Sequence, residues 1–383
     1  MVTDGVLGVY VHLPYCPYKC HYCDFNAYRL PPRPGALAAM AEGIAREIAL
    51  AEGDDSGREV QSIYFGGGTP SLFPPQAIGE LLGLLRRRYR VRRGAEVTLE
   101  ANPGTVDRRS LLALRRLGVN RLSIGAQSFC AETLRRLGRG HTPDETRAAF
   151  AAARGAGFAN LNLDIIYGLP GEGPAQARRD AEAAVALGPE HVSAYALEVE
   201  DGTAFGSWRR RGALALPADD EVVAAGEAVR EVLAAAGLPA YEISNFARAG
   251  RRSRHNLLYW HQGDYRGFGP GAHSHLGGRR FWNIAGLGPY LRAVSDRAPA
   301  VAGEEVLAPA LARGEWIYLR LRLAEGFSLQ AFHRRFGLPL DAAYPGVRQS
   351  LLRQGLLDPV PGRVRASRAG RWLLHRVAEP FLP

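Results

Sequence analysis

Lysine is nearly missing from this chain: among its 48 basic residues, Lys19 alone is not arginine. Base composition can produce such a skew, so the net charge of +10 at pH 7 carries little weight toward nucleic acid or another polyanion. The arginine clusters at 86–93, 209–211 and 251–254 read first as solvated faces. Long apolar runs are missing as well. Asp, Glu or Arg interrupts every stretch of about 18 residues, which excludes a helical membrane span. The start, MVTDGVLGVY, has neither a basic leader region nor a cleavage site, so the chain is expected in the cytoplasm. Cysteine is scarce, with four in 383 residues, and thiols stay reduced in that compartment, which excludes a disulfide scaffold. Internal repeats and low-complexity segments are absent too.

What is present is enough apolar material, 46% of residues, to fill a sizeable core. Over the first 200 residues, short apolar and β-branched runs alternate with helical patterns. Strands are expected at 7–13, 59–65, 96–100, 121–126, 161–167 and 191–197, and helices near 36–52, 75–89, 107–117, 143–155, 174–187 and 218–236. This alternation predicts an α/β fold with a parallel sheet. Residues with chemical potential follow each strand, as on the C-terminal face of a barrel, and six units make a partial (β/α)6 TIM-like barrel. The barrel is assigned to 1–240 and an aromatic, Gly-rich segment to 241–300. A small C-terminal helical or winged-helix-like domain, with a terminal strand pair, takes 301–383.

Three of the four cysteines, Cys16, Cys20 and Cys23, lie in YCPYKCHYC. Spacings of four and three bring their sulfurs to one centre, and three readings stay open. An iron–sulfur cube on three thiolates leaves one iron free for a small molecule. A structural zinc needs a fourth ligand, from His12, His21 or Cys130. The third reading is an incidental set of thiols. After the second strand comes Gly66-Gly67-Gly68-Thr69-Pro70, where glycines let the backbone approach a ligand and turn its N–H and C=O groups toward it, with a hydroxyl from Thr69, or simply make a turn. It is not the GxGxxG of a dinucleotide fold. Glu100, Gln127 and Asp164 end, follow or lie in the next three strands. Each alone reads as a cap or an Arg partner; together they offer carboxylates and an amide to an ammonium or a ribose.

CxxxCxxC resembles the motif of the radical S-adenosylmethionine (SAM) superfamily. There, three cysteines hold a 4Fe-4S cluster, and the amino and carboxylate groups of SAM chelate its open iron. Over about residues 7–330 the motifs resemble one branch, the oxygen-independent coproporphyrinogen III oxidases (HemN) and the haem chaperones (HemW). That resemblance implies SAM contacts at Tyr10, Tyr22, Gly67, Gly68, Thr69, Glu100, Gln127, Arg139 in LGRGHT, Asp164 and Ala196 in SAYALE. The oxidases carry CxxxCxxCxC; here the last place is Phe25, in CDFN, as in the chaperones. His255-Asn256-Leu257-Leu258-Tyr259-Trp260 matches the chaperones' HNxxYW, which implies His255 as a haem-iron ligand. A neutral imidazole suits that role, aromatic rings can lie on a porphyrin, and Arg251, Arg252 and Arg254 could pair with its propionates. The same residues also read as a hydrogen-bonded core histidine with packing aromatics. Asn245 and Gly267–Ser274 match the family as well, with His273 either a second polar contact or structural.

The resemblance therefore implies a haem chaperone that transfers haem to haemoproteins, chiefly respiratory ones, with a homodimer and transient membrane association in keeping with that role. The alternative is the oxidase, in which a radical from SAM cleavage leads to decarboxylation of coproporphyrinogen propionates to vinyls. The cofactor carries that chemistry, and no protein residue is assigned as catalytic. A nucleic-acid-binding module on RVRASRAGRWLLHR (363–376) is the third class. Its basic residues scatter around a helix, so no nucleic acid partner is expected.

Overall fold

In the computed structural model, which describes residues 5–31, 34–51 and 55–383, the run VLGVYVHL forms β1 (Val6–Leu13). It is buried along nearly its whole length, as a central parallel strand covered on both faces must be. The start of the chain at 1–4 and residue 52, the expected end of the first helix, lie outside the described residues. After β1 come α1 (Ala36–Leu50), β2 (Glu59–Gly67), α2 (Pro75–Arg88), β3 (Arg90–Ala101) and α3 (Arg108–Leu117). Then follow β4 (Arg121–Gln127), α4 (Ala131–Arg136), α5 (Pro143–Gly155), β5 (Leu161–Tyr167), α6 (Pro174–Ala186) and β6 (His191–Ala196). Strands β1 to β6 pair in parallel and in chain order, so the loops after them leave one edge: a partial (β/α)6 barrel.

Local signals set the helix ends. Asp107 and Ser110 form a capping box before α3, and Gly118, at φ 108°, ends it. Thr142 and Glu145 form a second box before α5, with Pro143 in its first turn. Strand β3 starts six residues before the expected 96. Arg90 to Gly94 are mostly exposed at the N-terminal end of the sheet, where no apolar pattern marks a strand.

Beyond β6, α7 (Ala204–Arg210) and α8 (Asp219–Ala235) lead to β7 (Asn245–Ala247), antiparallel to β6. Then α9 (Arg254–Trp260) precedes β8 (Asp264–Phe268), which pairs in parallel with the free side of β1. Strands β9 (His273–Leu276), β10 (Arg279–Asn283) and β11 (Val301–Val306) continue antiparallel, with α10 (Leu287–Ser295) between the last two. The aromatic, Gly-rich segment thus supplies strands to the barrel's own eleven-stranded sheet.

From α11 (Pro309–Leu321) onward the chain has a core of its own, around Trp316, Phe327, Phe332, Leu351 and Phe381. Short helices surround one antiparallel strand pair, Phe327–Ser328 with Arg363–Val364. This unit meets the barrel through polar pairs, Arg280 with Glu315 and Trp372 with Glu227. Among the described residues, no helix is long and apolar enough to cross a membrane.

Candidate functional site

The cysteine loop leaves the C-terminal end of β1. A short parallel pairing of Tyr15–Cys16 with Tyr28–Arg29 closes it at its base. Lys19 donates from Nζ to the carbonyls of Phe25 (3.0 Å) and Ala27 (3.1 Å), which folds the ammonium back across the loop. Each thiol then has one polar side-chain neighbour: Thr69 Oγ1 at 3.3 Å from Cys16, Arg139 Nη1 at 3.6 Å from Cys20, and Lys19 Nζ at 3.9 Å from Cys23. Burial, chiefly, pushes the Cys16 and Cys23 thiols up, as do the charges of neighbouring sulfurs, while Thr69 and Lys19 oppose the rise.

The expected fourth zinc ligands are engaged elsewhere. His12 pairs Nε2 with Asn26 O (2.9 Å) and Nδ1 with Tyr10 OH (3.0 Å), His21 faces Arg136 O (2.9 Å) and packs on Trp208, and Cys130 stands at the N-cap of α4. Among the described residues, no three His, Cys, Asp or Glu side chains converge as ligands of a single ion. The three thiols are close enough to feel one another's charge, as a shared thiolate-bound group needs.

A belt of hydrogen bonds ties this loop to the barrel mouth. Asn102 donates to Thr69 Oγ1 (2.8 Å) and accepts from Arg139 Nη2 (2.7 Å), which also donates to Gly125 O (2.9 Å). Cys16, Thr69, Asn102, Arg139 and Cys20 form one chain of contacts across the loops after β2, β3 and α4. Asn102 was not singled out from the sequence, though it stands two places after Glu100 in LEANPG. The glycine loop spends its N–H groups on the protein itself. Gly68 and Thr69 donate their N–H groups to Leu13 O (2.9 Å) and Tyr15 O (2.8 Å), and Gly67 donates to Glu100 Oε2 (3.1 Å). These glycines make room for the cysteine loop: a Cβ on Gly68 would lie 2.6 Å from the Tyr15 carbonyl oxygen.

The remaining sequence candidates surround this belt. Glu100 accepts from Tyr64 OH (2.8 Å), and burial pushes it up to about 7. Asp164, also raised by burial, accepts from Asn162 Nδ2 (2.8 Å) and Ser123 Oγ (3.1 Å). Gln127 has a positive φ of 66°, which holds its amide over Gly125 beside Arg139. The Tyr22 phenol, raised by burial, feels Arg139, and Ala196 ends β6 half-buried.

Next to the belt, a cleft of about 800 Å³ opens between the barrel mouth and the C-terminal unit. Tyr10, Gly67 and Glu100 form its floor, Tyr259, Trp260, Tyr265, His273 and His275 one wall, and Tyr318 and Leu319 the other. Exposed Phe25 stands at the cleft as well. His255 does not. Its ring is 1% exposed inside the barrel, with Nδ1 3.0 Å from Ser62 Oγ and Nε2 2.9 Å from Tyr259 OH. Burial and the nearby Arg121 hold it at about 3, so the ring is neutral. Arg254 reaches Gly94 O (3.0 Å) and Arg252 lies near Glu325; neither these nor Arg251 lines the cleft. Asn245 is buried and donates to Glu242 (2.6 Å).

Comparison with known proteins agrees with this architecture. Residues 10–184 match the radical SAM superfamily and residues 312–373 the HemN C-terminal domain. "Heme chaperone HemW" of Mycobacterium tuberculosis is 38% identical over 377 residues, covering 98% of this chain and 94% of its own. Its Escherichia coli counterpart is 36% identical over 392 residues, covering both chains fully. Among solved structures, the coproporphyrinogen III oxidase HemN of Escherichia coli, a radical SAM enzyme, superposes with a TM-score of 0.85 at 23% identity, over 98% of this chain and 89% of that one. The fold is shared with the oxidase, but it is the sequence identity along nearly the full length that assigns the chain, which belongs to the HemW family of radical SAM proteins.

Proposed function

We propose that this protein binds haem in the cleft and passes it to haemoproteins, with a 4Fe-4S cluster on Cys16, Cys20 and Cys23 and SAM beside it. One observation carries the reading. The loop that carries the three thiols sets Phe25 and Asn26 at an aromatic-walled cleft, and exposed Phe25 occupies the position where an oxidase-type motif has a further cysteine. A cleft of this size falls within the range of about 300–1,000 Å³ typical for cofactor-sized ligands.

Bound together, the cluster and SAM supply one-electron reduction of a sulfonium. The chain's own residues hold and orient. Thr69 and Lys19 direct polar hydrogens at Cys16 and Cys23 and offset part of the burial that raises these thiols, while Arg139 Nη1 faces Cys20. Glu100, held near neutrality, can accept from an ammonium or a ribose hydroxyl at the cleft floor, with Gln127, Asp164 and Tyr22 around the same mouth. In this reading the barrel (1–240) carries the cluster, segment 241–300 supplies the haem wall and 301–383 closes the cleft. The setting is the cytoplasm, with respiratory haemoproteins as recipients and a homodimer touching the membrane only transiently.

The test is an anaerobic haem titration of the cluster-reconstituted protein, followed by visible absorbance. A saturable, stoichiometric spectrum is expected. Absence of saturation overturns the reading, as does turnover of coproporphyrinogen III with SAM and a reductant.

A further inference from the structure

Resting on the haem reading above, we infer that the iron is ligated in the cleft by His275 of β9 through Nε2, and not by His255. The two rings differ in what their nitrogens already do. Both nitrogens of His255 face hydroxyl groups, and the ring lies within the barrel behind Tyr259. His275 has its Nδ1 3.1 Å from the carbonyl oxygen of Gly263, with Asp264 Oδ1 3.9 Å away. A carbonyl can only accept, so Nδ1 donates in this contact, and the tautomer that makes it has its lone pair on Nε2. Among the described residues no hydrogen bond reaches that atom, and the ring lines the cleft. A backbone carbonyl that orients one nitrogen while the other stays open is how proteins present an imidazole to a metal.

The neighbours suit a porphyrin. His275 lies directly opposite Tyr265 on β8 and Arg280 on β10, so an aromatic ring, an imidazole and a guanidinium share one face of three paired strands. All three line the cleft. The Tyr265 ring centroid is 6.1 Å from that of His275, ready to lie along a macrocycle. Arg280, now shared between Glu305 and Glu315, is the cation that a propionate would meet, a role that Arg251, Arg252 and Arg254 cannot fill from outside the cleft. Mounting on strands keeps the ring in place without help from the ligand. His273, two residues earlier on the same strand face, packs on Trp282 at 5.9 Å and makes no ring hydrogen bond among the described residues. It lacks the carbonyl that orients His275.

The experiment compares anaerobic haem titrations of the cluster-reconstituted full chain with those of His275→Ala, His273→Ala and His255→Gln, the last chosen because an amide can keep bonds to Ser62 and Tyr259. His275→Ala should bind haem about tenfold more weakly or worse, with a shifted Soret band. His255→Gln, outside the cleft, should titrate like the unmodified protein, and His273→Ala, on the cleft wall, should keep the unmodified Soret position even where its affinity falls. Added imidazole should restore the Soret band of His275→Gly, which a merely structural role would not allow. Loss of the band in His255→Gln or His273→Ala, with His275→Ala unchanged, overturns this assignment alone. No saturable binding by the unmodified protein overturns the haem reading and this assignment with it.

Discussion

Inside the barrel, His191 and His255 have both ring nitrogens engaged; on β9, His275, though also buried, engages one and His273 neither among the described residues. His191 sets its ring between Asn162 Oδ1 (2.6 Å) and Tyr241 OH (2.9 Å), as His255 does between Ser62 and Tyr259. The network around His191 and His255 satisfies both nitrogens of each ring and so locks that part of the polar core in one arrangement. The cleft leaves lone pairs unused a short way from the cysteine loop. What separates the interior imidazoles from those on β9 is the set of partners each meets.

Stability measurements break or sharpen this contrast. His255→Ala should cost about 3 kcal/mol in chemical denaturation, because it opens a buried cavity and strands the Ser62 and Tyr259 hydroxyls. His275→Ala, at the cleft wall, should cost about 1 kcal/mol. An equal cost at both positions would mean that β9 is as closed as the barrel.

The same interior ring sets a pH trend. His255 titrates at about 3 in the folded chain against its ordinary 6.5, so between those values the unfolded chain binds the extra proton. Stability should therefore be complete above pH 6.5 and fall as the pH drops toward 3. His141 and His261, both lowered to about 4 mainly by burial, act with the same sign. A melting temperature that rises on acidification from pH 6.5 would count against the closed interior.

Glu100 works in the opposite direction. Raised from 4.5 to about 7, it holds its proton more tightly in the folded chain, so its contribution is complete below pH 4.5 and lost as the pH rises through 7. Glu100→Gln should stabilise the cluster-free protein at pH 8 by on the order of 1–2 kcal/mol and change little at pH 4. An unchanged difference between variant and parent across that range would show that the carboxyl is not closed off from water.

The smallest effect on folding belongs to the cysteine loop. Lys19 is exposed, so Lys19→Met should alter stability by no more than about 0.5 kcal/mol. Its ammonium nevertheless lies 3.9 Å from Cys23 Sγ, and if Cys23 holds the proposed cluster, removing this positive charge should lower the midpoint potential read by EPR-monitored titration. Lys19→Arg should restore most of it. An unchanged potential in Lys19→Met would mean that the contact serves the loop alone.

The six parallel strands were legible because each is buried on both faces and therefore reads as an apolar run; the expected and observed boundaries mostly agree within two residues. Strands β8 to β11 were not. They are short, broken by glycine turns, and partly open to the cleft or to solvent, with β11 exposed along nearly its whole length. Cys16, Cys20 and Cys23 announced themselves by spacing, whereas Asn102, which links their neighbours Thr69 and Arg139, has no local signature. The glycine loop was legible as a place of close approach, but its backbone N–H groups turned out to face the cysteine loop and Glu100.

Sequence by itself determined the alternation that builds the barrel and the three-thiol loop at its mouth, since both depend on residues close together in the chain. Only the tertiary structure decided which imidazoles are free. The partner that closes His255 from one side, Ser62, lies 193 positions away, and the strands that hold His275 open meet only when the sheet forms. A hydrogen bond uses up a lone pair wherever its donor comes from, so the availability of a ring nitrogen is a property of the folded neighbourhood and not of the motif around it.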